Sequence, residues 1–145
     1  MPNFGVQVEG LRETRKKFRE LPDDGRKELK ARSSRIAQVV GDEASRRFMA
    51  LGHQGPLVAS TLRTRLGDTP TIAVGGSARL GQNRKPAFKL LYGTEFGSDK
   101  YKQFHAAHTG QAGRALYPTI RTRTEWMIEQ WRDAADTVAA RFTAA

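Results

Sequence analysis

Glu95 stands within "YGTEFGS", Tyr92 to Ser98, and its neighbours decide what a carboxylate could do there. Paired-carboxylate hydrolysis needs two carboxyl groups held a few ångström apart. The next acid along the chain is Asp99, and no other lies close in sequence. His105 and His108 form "HAAH", a spacing that would set both imidazoles on one side of a helical turn and suit metal ligation. No third histidine lies close, the chain has no cysteine, and Gly110 and Gly113 mark the segment as a loop, so solvent-exposed histidines are the plainer reading. Ser60, Ser77 and Ser98 lack the Gly-x-Ser-x-Gly setting of an activated nucleophile, and "GGSARLG" lacks the flanking strand and helix of a phosphate loop. The expectation is a protein that is not an enzyme and uses no cofactor or metal.

What remains is contact chemistry. The chain has 145 residues and a formal net charge of +10, which suits a polyanionic partner. Arg63, Arg65, Arg79, Arg84 and Lys85 are candidate DNA or partner contacts, with Tyr101 and Phe104 as stacking faces. The other cations are scattered and interleaved with acids, as on an ordinary solvated surface. No helix-turn-helix, zinc-finger or aromatic ribonucleoprotein pattern occurs, so only generic, salt-sensitive DNA binding is implied.

The elements that must position these residues read as one α+β domain over residues 1–145. Phe4, Val6 and Val8 alternate as in a short strand. Leu11, Phe18 and Leu21 fit one helical face ending at Pro22, and a second helix runs from there to about Ala50, with Leu29, Ile36, Val40 and Phe48 on its apolar side. From Leu57 to Gly76 two strand-like pieces flank "GDTP", and Arg63 and Arg65 share one face of that hairpin. Residues 75–87 and 98–115 read as exposed loops. Pro118 is expected to bar a helix through Leu116 and Tyr117 and to hold Tyr117 extended. Beyond it, Ile120, Met127, Trp131, Ala134, Val138 and Phe142 form the apolar stripe of a long C-terminal helix. The fold expected is a small antiparallel sheet packed against long amphipathic helices. No cysteine means no disulfides, and no apolar run approaches the roughly 20 residues of a membrane span, so a soluble protein made in a cytoplasm is expected.

"YGTEFGS", then "KYKQF", "HTGQAGRA" and "LYPTIR" at Leu116 to Arg121, followed by a terminal amphipathic helix, make an ordered series. It resembles the small neck, tail-completion or head-tail joining proteins of long-tailed bacteriophages. The resemblance implies a structural virion protein, assembled in the host cytoplasm, that forms a homo-oligomeric ring at the head-tail junction. Such a ring joins the neck to the tail tube and lets DNA pass during ejection. A hexamer is the first expectation and a dodecamer the second. Neck stopper or adaptor proteins and tail terminator or tube proteins would be partners, with non-specific contact to genomic DNA and no membrane. The alternative is a small basic DNA-binding or packaging accessory protein. Carried onto this chain, Tyr92, Glu95, Phe96 and Gly97, with Ser98 beside them, form a strand-and-turn corner and interface, and Tyr117 and Pro118 a second corner. In a strand, Tyr92 and Phe96 would share a buried face with Glu95 pointing away, either accepting backbone N–H bonds or pairing with an arginine of the next subunit.

Overall fold

The computed structural model describes residues 16–17, 19–52, 54–66, 70–107 and 113–142. The expected strand at Phe4 to Val8 and the residues Leu11 and Phe18 lie outside these. Helix α1, Asp23–Ala50, starts at Pro22, whose carbonyl accepts the Arg26 N–H at 3.0 Å. Asp23 and Asp24 occupy its first turn, where the helix dipole favours negative charge. Its buried residues, Gly25, Leu29, Ser33, Ile36, Ala37, Val40, Gly41, Ala44 and Phe48, recur at steps of three and four and make one continuous face.

That face receives the C-terminal helix. Ion pairs across the two include Arg141 with Glu28 (3.9 Å), Arg32 with Asp133 (3.1 Å) and Arg123 with Glu43. Residue numbers rise on one helix as they fall on the other, so the pair is antiparallel. Leu29, Ala134 and Val138 form its inner cluster, with Leu21 packed against it. Ser33 on α1 and Ala134 on the C-terminal helix are both buried.

After α1 the chain turns sharply into the short helix α2, Gly55–Ala59, where a side chain on Gly55 would collide with the Phe48 carbonyl. Strands β1, Arg63–Arg65, and β2, Thr71–Ala73, pair antiparallel with Thr64 opposite Ile72. Thr64 faces α1 and Arg63 and Arg65 face outward, as the alternation predicts. Leu57 to Ala59, by contrast, belong to α2 and not to a strand.

Residues 75–87 are not simply loop. Strands β3, Arg79–Leu80, and β4, Lys85–Pro86, form a second antiparallel hairpin around the turn at Gly81 to Arg84. Two-residue strands are too short to show a period, which is why the pattern reads as loop. Helix α3, Ala87–Phe96, follows Pro86 directly, and helix α4, Leu116–Phe142, ends the described chain. Phe48, Val58, Ala59, Leu90 and Ala115 form the main core where α1, α2, α3 and the start of α4 meet. Burying a side chain the size of Phe48 contributes about 2–3 kcal/mol. The architecture is α+β, with long helices and small antiparallel strand pairs. No helix among the described residues is long and apolar enough to cross a membrane.

Three expectations fail at α4. Trp131, expected on the apolar stripe, is 36% exposed. Pro118 does not keep Leu116 and Tyr117 out of the helix: it sits in the first turn, where its missing N–H has no intrahelical partner to lose. Ile120 lies at the edge of the buried arc and is 40% exposed, because Thr119, one position earlier, takes the inward place and is fully buried.

Candidate functional site

"YGTEFGS" folds as the last turns of α3 and not as a strand. Over five residues, Tyr92 and Phe96 share a face in either conformation; Pro86 at the start and Gly97 at the end are the helix punctuation that decides. The two rings are one helical turn apart with centroids 4.9 Å apart. Tyr92 is 58% exposed, so the expected burial of this face does not occur. Phe96 is half-buried and reaches Tyr117 on α4 at 5.5 Å.

Glu95 points the other way, into the protein, and is 2% exposed. Its carboxylate lies across the N-terminus of α4. Oε1 accepts the N–H groups of Arg114 (3.2 Å) and Tyr117 (2.9 Å), and Oε2 accepts those of Ala115 (3.0 Å) and Leu116 (3.0 Å). A helix start leaves its first N–H groups without intrahelical acceptors. Pro118 has none to leave, and the Thr119 N–H makes the first bond back, to the Ala115 carbonyl at 3.2 Å. Every backbone N–H from Arg114 to Thr119 therefore has a partner, four of them on one side chain. The helix dipole and the charge-assisted bonds compensate the buried charge. Of the two fates the sequence left open for Glu95, acceptance of backbone N–H bonds is the one realised.

Glycines shape the joint. Gly113 adopts φ +63°, and a side chain there would run into the Glu95 carboxylate and lie 2.8 Å from Tyr117 Cβ. Gly97 ends α3 at φ +78°, returning its N–H to the Gly93 carbonyl at 2.7 Å. The loop that follows is closed on itself. Ser98 N–H bonds the His105 carbonyl at 2.8 Å, Ser98 Oγ accepts from Lys100 and Tyr101, and Asp99 Oδ1 accepts the Ala107 N–H at 3.0 Å. The Arg114 guanidinium donates to the Ala106 carbonyl at 3.1 Å, and Phe104 lies over Gly93, where a Cβ would be 2.5 Å from its ring.

The structure thus gathers Tyr92, Glu95, Phe96, Gly97, Ser98, Tyr117 and Pro118 at one joint between α3, the 98–107 loop and α4. The sequence reading did not single out Gly113 or the backbone N–H groups of 114–117 as Glu95's partners; the signal was "GRALYPT", a glycine placed just before a helix whose first turn contains proline.

The five cations divide between two hairpins. Arg63 donates to the Ser60 and Leu62 carbonyls at 2.7 and 2.8 Å, and Arg79 to the Arg84 carbonyl at 3.1 Å, so both brace their own turns. Arg65, Arg84 and Lys85 are exposed. His105 is half-buried, and His108 lies outside the described residues. No group of three or more His, Asp or Glu side chains among the described residues is arranged to hold a metal. A shallow groove lined by Asp24, Lys27, Glu28, Ala31 and Arg141 lies at the far end of the α1–α4 pair from Glu95, among charged side chains already engaged in pairs such as Arg141 with Glu28. No protein-family model matches this chain, and no curated protein or solved structure compared with it matches either.

Proposed function

We propose that this chain is a structural virion protein of a tailed bacteriophage, assembling as a ring at the head-tail junction that joins neck to tail tube and allows DNA through. The observation that carries the reading is the joint itself. The two stretches on which the family resemblance rests, Tyr92 to Ser98 and Leu116 to Arg121, meet in space through the Glu95 carboxylate. On the outside of that joint Tyr92, Phe96 and Tyr117 form a continuous aromatic run, extended by Ile120 one turn along α4. Contiguous exposed apolar surface on a fixed support is what repeated copies cover when a ring closes. The role of the joint is then to hold the two halves of that surface in one geometry, and sister copies are the first partners, with a hexamer ahead of a dodecamer. Stopper, adaptor, terminator or tube proteins would dock above and below.

Sedimentation of the purified chain, with Tyr92→Ser and Tyr117→Ser in parallel, tests the assembly. The expected result is a concentration-dependent oligomer that both substitutions weaken without lowering the melting temperature. Electron-microscopic reconstruction of particles tests the location. A chain that stays monomeric at every concentration, with no density of its size at the junction, overturns the proposal.

A further inference from the structure

Residues 76–107 carry a local surplus of positive charge: six cations, Arg79, Arg84, Lys85, Lys89, Lys100 and Lys102, against the two carboxylates Glu95 and Asp99. Glu95 is buried under α4, and the exposed Asp99, which also accepts the Ala107 N–H of its own loop, offsets one of them. Helix α4, in contrast, balances four cations with four acids.

The fold lays this segment out as one surface. The β3–β4 hairpin runs through Pro86 straight into α3, and the Ala87 N–H bonds back to the Ala78 carbonyl at 2.9 Å, so the hairpin cations sit at the start of that helix. Lys89 lies one turn before Gly93, the residue covered by Phe104. Phe104 N–H bonds the Tyr101 carbonyl at 3.1 Å, so the turn that carries Lys100, Tyr101 and Lys102 is tied to the ring that covers Gly93. Three large rings stand exposed along this segment, Phe88 at 44%, Tyr92 at 58% and Tyr101 at 51%, with the Lys100 ammonium 5.4 Å from the Tyr101 ring centre.

Cations alone would suit any polyanion. Exposed rings set between them suit one whose charged backbone alternates with flat apolar faces, and in a duplex those faces are hidden in the stack. We propose that the surface running from the β3–β4 hairpin over α3 to the 98–107 loop binds single-stranded nucleic acid. Lys89, Lys100 and Lys102 lie along the phosphates, and Phe88 and Tyr101 stack on bases. Phe88 lies one turn before Tyr92, on the side of α3 that assembly would cover, so the binding is expected of the monomer and does not require the assembly proposed above.

Fluorescence anisotropy with a labelled oligodeoxythymidine of about 20 nucleotides, long enough for several stacked bases, is the test. A duplex of equal length and heparin serve as competitors. Binding is expected to weaken steeply with salt, and each of Lys89→Ala, Lys100→Ala and Lys102→Ala to lower the slope of log K against log salt by about 0.7. Phe88→Ala and Tyr101→Ala should each weaken oligonucleotide binding about tenfold while leaving heparin binding unchanged. Tyr117→Ser, which tests assembly from outside this segment, should leave it unaltered. No binding at low salt overturns the inference. So does a duplex or heparin that competes as well as the single strand, or indifference to removal of both rings.

Discussion

Glu95 and Tyr117 are 22 residues apart in sequence, yet Oε1 of the first accepts the backbone N–H of the second at 2.9 Å. A side chain at the end of one helix thereby serves as the N-terminal cap of another, a task normally done by the residue next to the helix. Capping from a distance fixes the angle between α3 and α4 as well as closing the helix end.

Removing that carboxylate should cost more than an ordinary cap. Glu95→Ala leaves four N–H groups without their acceptor in a largely buried place, and a loss of about 3–5 kcal/mol in urea denaturation is expected. Glu95→Gln is the sharper variant. It keeps the shape but turns an NH2 group towards two N–H donors, so about 2–4 kcal/mol should still be lost. A Gln variant within about 0.5 kcal/mol of the parent would mean that the acceptor oxygens contribute little.

Gly113→Ala should fail at the same joint for two reasons that act together: a left-handed φ and a methyl group aimed at the Glu95 carboxylate. A cost of about 2 kcal/mol or more is expected, against about 1 for strained backbone alone. Because both substitutions disrupt one set of hydrogen bonds, Glu95→Ala with Gly113→Ala should cost clearly less than the two separate losses added together. Additive losses would show that Gly113 acts only through its backbone.

The long helices and the outward Arg63 and Arg65 were legible because each rests on a local pattern. Leu29, Ile36, Val40 and Phe48 repeat at helical steps over about five turns, and such a length leaves no doubt of period. The Tyr92 to Gly97 stretch was misread because strand and helix periods coincide over five residues, and because Glu95's partners come from a segment that sequence spacing does not place beside it. Pro118 was misread for another reason: the rule that proline stops helices is a rule about helix interiors, and the first turn is exempt. Ile120 was assigned to the core by its type, whereas Thr119 could go inward because its hydroxyl bonds the Ala115 carbonyl at 2.8 Å.

Acid should loosen the α1–α4 pair through Glu43. The hydrogen bond from Arg123 holds its carboxyl below the ordinary value of 4.5, burial opposes this, and a second bond from Arg47 adds to the lowering. A carboxyl with a lower pKa folded than unfolded contributes stability that is fully present above the unfolded value and is lost as pH falls through the folded one. The urea midpoint of the parent should therefore drop on acidification below about pH 5, and the gap between parent and Glu43→Gln should narrow over the same interval. A gap that stays constant with pH would leave the contribution of Glu43 unrelated to its charge.

Gly41 offers a test in which the sign decides. In a helix interior, glycine to alanine ordinarily stabilises by about 1 kcal/mol, through lower chain entropy and better propensity. Gly41 lies in the C-terminal half of α1 beneath the β1–β2 hairpin, and a methyl there would come 2.6 Å from Thr64 Oγ1, with Leu62 Cδ2 and Ile72 Cγ1 at 3.7 and 3.8 Å behind it. Thr64 is β-branched and held in register opposite Ile72, so it has little room to turn aside. Gly41→Ala should therefore destabilise by about 1 kcal/mol, reversing the usual effect. In a Thr64→Ala background the obstruction is gone, and the same substitution should become neutral or stabilising. If Gly41→Ala stabilises the otherwise unaltered protein in thermal melting, the hairpin does not rest on α1 at this point.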